Sequence, residues 1–184
     1  METVDTLVVG AGVVGIAVAR ELVILGSDVI VAEKETMAGQ GISARNSGVV
    51  HAGLYYPNDS LKARFCVEGR SLLNMYCQNY DVPYNQIGKY VVATTTEEAQ
   101  SLLTLKENAI RNGVDGLKLI SRERMQELEP ELDVQATMFS PSTGIVDVPE
   151  LILSMIGQLE EAGGAVAFKT TVKRITPADN GFIV

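Results

Sequence analysis

The chain of 184 residues has no tryptophan, one histidine, two cysteines and six prolines, and aromatic residues make up only 5% of it. Two cysteines cannot build a disulfide scaffold. Cys66 and Cys77 fall within what reads as one helix, about three turns or 16 Å apart, too far to bridge each other. Reduced, half-buried thiols in an intracellular, cytoplasmic setting are the expectation. Basic charge is also scarce: 15 Lys and Arg stand against 23 Asp and Glu, for a net charge of −8 and a pI near 4.7. With no basic stripe, a nucleic-acid surface is excluded. Long apolar runs are missing too. The N-terminal Met1–Asp5 has no basic lead-in, and the apolar stretch after it is broken by Arg20 and Glu21. It is neither a signal peptide nor a membrane span, so no transmembrane segment is expected, while peripheral membrane contact stays open. No repeat, low-complexity tract or metal-ligand cluster stands out. What remains, 46% hydrophobic and 21% charged, is the composition of an ordinary globular domain, one or two by length.

Glycine, by contrast, is placed with meaning. Gly10-Ala11-Gly12-Val13-Val14-Gly15 lies between the apolar run Thr6-Leu7-Val8-Val9 and the helix-like run Ile16 to Leu25. A second apolar run, Asp28 to Ala32, closes on Glu33. Strand, glycine turn, helix, strand and acid in this order form a dinucleotide-binding fingerprint. Gly10 permits the tight turn, Gly12 lets the backbone approach a pyrophosphate, and Gly15 lets the helix pack closely. The helix N-terminus offers N–H groups and a positive dipole end to phosphates. Glu33 falls where a carboxylate accepts ribose hydroxyls, and its charge would repel a 2′-phosphate.

Strands are expected near 5–9 and 28–33, with a helix near 14–26 between them. Asn58-Asp59-Ser60 reads as a cap for a helix from Leu61 to Tyr80. A strand at Lys89–Ala93, a helix from Glu97 to Asn112 ending at Gly113, a strand at Leu117–Ile120 and a Ser121-capped helix to Leu128 follow. Ala136–Phe139 reads as extended and Ser140–Gly144 as a turn. A helix starts at Asp147-Val148-Pro149, and two further extended runs cover Ala165–Lys169 and Thr171–Ile175. Gly181–Val184 reads as the first residues of a strand without a partner, which points to a piece of something longer. The acidic helix 97–112 and the stretch 123–131 read as solvated faces.

After Glu33 comes a second glycine-rich segment, Gly39 to Gly53, with Ser43, Arg45, Asn46, Ser47 and His51 interleaved. Ordinary turn chemistry gives a similar composition. Such a backbone also presses flat against a ring while presenting N–H groups, as a flavin asks. The stretch GISARNSGVVHAGLYYPNDSLKARFCVEG, taken with the GAGVVG turn and Glu33, resembles the D-amino-acid-oxidase-type FAD-dependent oxidoreductase superfamily. Within it, the chain looks most like the L-2-hydroxyglutarate dehydrogenase or oxidase family. The runs Gly88–Ala93 and Ser140–Asp147 match as well, so the resemblance covers nearly the whole chain, although that family's members run to about twice this length.

The resemblance implies an α/β fold: a Rossmann-like, glutathione-reductase-type FAD-binding domain with part of an α+β substrate domain inserted. Residues 1–82 and 147–184 would form the FAD-binding parts and 83–146 the partial substrate domain. It implies FAD as cofactor and hydride transfer from an L-2-hydroxy acid to flavin N5, with the electron acceptor unspecified. Gly10, Gly12 and Gly15 would hold the pyrophosphate and Glu33 the ribose. Ser43, Arg45, Asn46, Ser47 and Gly48 would line the stretch toward the flavin, and the backbone of Val172, in a strand at 171–173, would face the adenine.

The chemistry needs a base for the hydroxyl proton and cations for carboxylate. His51 has the right ordinary pKa for the base, and a structural ring shaping the pocket fits its position equally. Tyr55 and Lys89 are candidate substrate contacts. Lys62 and Arg64 are candidate carboxylate clamps too, but on nearby helix positions that point apart they cannot both face one ligand. Rival readings are a related flavoprotein acting on an amino acid or on glycerol 3-phosphate, and a non-catalytic N-terminal fragment that pairs with a separate second half or with itself.

Overall fold

Short runs of β-branched residues favour extended backbone, and the glycine turn after the first of them feeds the chain directly into a helix. In the computed structural model, which describes residues 3–184, this produces the expected opening: β1 (Thr6–Val9), α1 (Val13–Ile24) and β2 (Val29–Ala32). A 3-10 turn at Ile42–Ala44 leads to β3 (Val49–Val50), α2 (Leu61–Asn79), β4 (Tyr84–Asn85) and β5 (Lys89–Ala93). Then come α3 (Thr96–Arg111), β6 (Lys118–Ile120), α4 (Arg122–Leu128), β7 (Ala136–Ser140) and β8 (Gly144–Val146). The chain ends with α5 (Val148–Glu161), β9 (Ala165–Ala167), β10 (Thr176–Ala178) and β11 (Gly181–Ile183). It divides into two compact units, residues 1–47 with 147–184, and residues 48–146.

The first unit is built on a parallel sheet of order β1-β2-β9, with Val8 opposite Val31 and Val31 opposite Val166. In the central strand β2, Val29, Val31 and Ala32 are all buried, as in a parallel strand covered on both faces. Helix α1 turns Ile16, Ala19 and Val23 inward, and α5 turns Leu151, Ile152, Met155 and Leu159 inward. The two helices pack on each other, and Arg20 Nε donates to Gln158 Oε1 at 2.7 Å across the pair. Helix α5 starts where the sequence places it: Asp147 accepts from the Glu150 N–H at 3.0 Å, with Pro149 in the first turn.

Two expectations for the C-terminal segment are corrected. Residues 171–175 form no strand. The chain is turned away after β9 by Lys169 in the left-handed region (φ 55°), and the N–H groups of Lys169 and Thr170 donate to the carbonyls of Glu35 and Glu33. A backbone tethered this way cannot continue β9 into a second extended run. The final strand is also not left without a partner. β11 pairs antiparallel with β10, Pro177 opposite Phe182, through the turn at Asp179-Asn180.

The second unit holds two antiparallel three-stranded sheets, of order β3-β8-β4 and β5-β7-β6. Its core gathers Leu54, Ala93, Leu102, Ala109, Val114 and Met138. Helix α3 opens on a capping box, with Thr95 accepting from the Glu98 N–H and Glu98 reaching back to the Thr95 N–H. The compact units part between Ser47 and Gly48. β3 and β4 flank the same strand β8, which draws everything between them into one unit. The whole is an α/β chain with a parallel dinucleotide-type sheet and an antiparallel α+β unit.

Candidate functional site

In the first unit the three glycines have separate structural duties. Gly10 lies at φ 100°, a conformation that L side chains rarely adopt. A Cβ on Gly15 would stand 2.1 Å from the carbonyl oxygen of Gly10, so only glycine fits there. A Cβ on Gly12 would meet the Ser43 hydroxyl at 3.4 Å. That hydroxyl accepts from the Val13 N–H at 3.0 Å and caps the start of α1, where Gly12 has no side chain to do so. The N–H groups of Gly12, Val14 and Gly15 find no acceptor among the described residues. A helix start with these N–H groups unpaired is the cradle that a pyrophosphate requires.

Glu33 is 9% exposed at the end of β2. Its Oε2 accepts from the Ala11 N–H at 2.7 Å and its Oε1 from the Glu35 N–H at 2.9 Å. The Glu35 N–H foremost holds its pKa below the ordinary carboxylate value; burial opposes this, and the Ala11 N–H and the Lys34 ammonium assist. The group therefore stays ionised at neutral pH. Its contribution to stability is present above the ordinary value near 4.5 and is lost as pH falls through the lowered one. A carboxylate offers about four acceptor positions, and two are used here, which leaves room for ribose hydroxyls. The sequence reading did not foresee the bond to Ala11, by which Glu33 also braces the glycine turn.

Glu33→Ala is accordingly expected to weaken FAD binding by about one to two decades, the loss of a charge-assisted bond worth roughly 1.5–3 kcal/mol. A fluorescence titration of the apoprotein with FAD reads this directly, and an unchanged affinity would leave Glu33 only its brace on the turn.

The other residues of this stretch are placed as follows. Asn46 Nδ2 donates to the Ser43 carbonyl at 2.7 Å, and Arg45 and Ser47 are exposed. Gly48, at φ 65°, lies in the second unit, where a Cβ would meet the Val146 oxygen at 2.7 Å. Val172 is half-buried in the non-strand segment 171–175, and its backbone makes no hydrogen bond to a described residue.

In the second unit His51 follows β3 and is exposed. Protein packed about part of the ring, then the ammonium groups of Lys89 and Lys62, hold its pKa below the ordinary 6.5. The neutral form is thereby favoured at pH 7. Lys89 Nζ donates to Tyr55 Oη at 3.1 Å and lies 4.7 Å from the centroid of the same ring. Lys62 Nζ lies 4.8 Å from the centroid of Tyr56, while Arg64 is paired with Glu68 at 2.9 Å. Of the two candidate carboxylate clamps on this helix, Arg64 is thus paired with an acid and Lys62 is not.

A hydrogen-bond network holds the loop that carries the two tyrosines. Asn108 Nδ2 donates to the carbonyls of Leu54 at 3.3 Å and Tyr56 at 3.0 Å, and Asn112 Nδ2 donates to those of Gly53 at 3.2 Å and Tyr56 at 2.9 Å. Asn58 Nδ2 ties itself to Asn112 Oδ1 at 2.6 Å. Helix α3 is thus more than the solvated face expected of it: its last turn fixes the segment after His51.

The model of the FAD dependent oxidoreductase family matches residues 5–184. The chain belongs to this family. FAD is the family's cofactor, and the glycine cradle and Glu33 fit it. Among similar proteins are the mitochondrial L-2-hydroxyglutarate dehydrogenases of Arabidopsis thaliana and Homo sapiens. The former is 45% identical over 155 residues, covering 84% of this chain and 32% of the plant protein. The latter is 41% identical over 178 residues, covering 95% of this chain and 38% of the human protein. The FAD-bound, dithionite-reduced L-alpha-glycerophosphate oxidase of Mycoplasma pneumoniae superposes with a TM-score of 0.93 at 28% identity, over 99% of this chain and 49% of that one. The chain thus spans less than half the length of each of these relatives. Among the described residues no helix is long and apolar enough to cross a membrane.

Proposed function

We propose that this chain serves an FAD-dependent dehydrogenase or oxidase acting on an L-2-hydroxy acid of the L-2-hydroxyglutarate type. FAD, when bound, supplies the acceptor for the hydride of the hydroxyl-bearing carbon. Gly10, Gly12 and Gly15 hold its pyrophosphate and Glu33 its ribose, with Ser43, Arg45, Asn46, Ser47, Gly48 and the backbone of Val172 along its length. Residues 1–82 and 147–184 are the FAD-binding segments in this reading, and 83–146 belong to the substrate domain. What carries the proposal is the Tyr55–Lys89 pair in the same unit as His51, whose pKa is held below the ordinary value by packing and by Lys89 and Lys62. An unprotonated imidazole can take the hydroxyl proton, and an ammonium with a phenol can hold the carboxylate beside it.

A second reading has its own support. The Mycoplasma pneumoniae relative is named for glycerophosphate, and the same cations would serve a phosphate. Anaerobic mixing of the FAD-loaded protein with L-2-hydroxyglutarate or with L-glycerol 3-phosphate separates the two. Bleaching of the flavin band by the hydroxy acid is expected, and bleaching by the phosphate ester alone would establish the second reading. For location, the sequence points to the cytoplasm, whereas the plant and human relatives carry "mitochondrial" in their names; fractionation of the native cells decides between them.

A further inference from the structure

Lys62 and Lys89 form no ion pair among the described residues, in a chain where 23 acids outnumber 15 bases. Each is seated on a tyrosine instead, Lys89 on Tyr55 and Lys62 on the next residue, Tyr56. A cation on a ring face is held in place with most of its N–H donors still available. Burial, and then the neighbouring Cys66 thiol, hold the Tyr56 hydroxyl above its ordinary pKa. Both ammonium groups act on His51, and no carboxylate is among the charges that do.

Resting on the hydroxy-acid reading, we propose that Lys62 and Lys89 are specificity-determining residues that recognise a short dicarboxylate, one ammonium for each carboxylate. Lys89 already donates to Tyr55 Oη, so the Tyr55 O–H is left to donate to a ligand. This pair suits the carboxylate next to the reacting carbon, and Lys62 takes the distal one. A monocarboxylate needs only the first. Two cations on successive tyrosines, neither of them ion-paired among the described residues, favour a dianion over a monoanion. Its arrival also offsets their effect on His51 and makes the base stronger when substrate is present.

The test uses the FAD-loaded full-length protein and two redox-inert five-carbon probes, glutarate and pentanoate. Binding is followed by the ring resonances of the chain's single histidine. Glutarate is expected to bind about tenfold to a hundredfold more tightly than pentanoate, the range of one charge-assisted bond, and to raise the pKa of His51. Lys62→Gln should erase that advantage with pentanoate binding unchanged, which also shows that the variant is folded. Lys62→Arg should restore most of the advantage, and Lys89→Gln should weaken both probes. Equal binding of the two probes to the parent protein would overturn the dicarboxylate proposal and leave a hydroxy-acid enzyme standing. Equal loss of both probes in Lys62→Gln would overturn the assignment of Lys62. Binding of L-glycerol 3-phosphate but of neither carboxylate would remove this proposal and the hydroxy-acid reading together.

Discussion

Replacing His51 with glutamine in the FAD-loaded protein is expected to cut turnover of the hydroxy acid by about 10²–10⁴-fold and leave flavin content unchanged. Glutamine keeps a polar side chain of similar reach but cannot accept the hydroxyl proton at neutral pH. The pH dependence carries a second signature. Packing about the ring and the ammonium groups of Lys89 and Lys62 lower the pKa of His51. The acid limb of kcat/KM should therefore lie below pH 6.5, activity falling as the imidazole gains its proton, and the limb should vanish in the variant. Steady-state rates across pH on both proteins, with the visible spectrum recorded alongside, check both outcomes. Loss of flavin without a specific loss of turnover per bound flavin would assign His51 a structural role.

Gly15→Ala is expected to destabilise the protein by about 3 kcal/mol or more, at the upper end for overpacking, with loss of bound FAD. The new methyl would stand 2.1 Å from the Gly10 oxygen, 3.3 Å from its carbon and 3.5 Å from Val8 Cγ1. Gly10 cannot give way easily, because its N–H donates to the Ala32 carbonyl at 2.8 Å and ties the turn to β2. Helix α1 must lift from β1, and the cradle opens as it does. Thermal unfolding should show a midpoint roughly 6–12 °C lower. Gly157→Ala is the matched control. Gly157 sits inside α5, and a methyl added there would have no neighbouring atom within 4 Å. At that position alanine should stabilise by about 0.5–1 kcal/mol. A Gly15→Ala protein as stable and as yellow as its parent would show that the close helix-to-strand approach is not what the glycine protects.

Much of both units was legible because the signals are local. The turn at Gly10, the caps at Ser60, Ser121 and Asp147 and the stop after α3 each depend on residues within a turn or so of one another. Periodicity located the helices α1 to α5 to within a residue or two. The C-terminal segment was misread for the same reason. The β-branched run at 171–175 carries extended propensity, but the tethering of Lys169 and Thr170 to Glu35 and Glu33 decides its path, and no neighbouring residue announces that.

The sequence by itself determined the glycine-to-acid order of a dinucleotide site, the choice of Glu33, and the presence of a single histidine in the second glycine segment. Tertiary structure alone decided what those groups touch. Ser43 caps Val13, Glu33 braces Ala11, Lys62 settles on Tyr56, and Asn108 and Asn112 hold the loop after His51. Apart from Lys62 on Tyr56, these contacts join residues far apart in the chain. The contact of Lys62 with Tyr56 was hidden for another reason: helix spacing states which way a side chain leaves its own helix, not which ring another segment brings beneath it. Contacts of this kind exist only once packing has brought their elements together, so periodicity and local propensity hold no record of them.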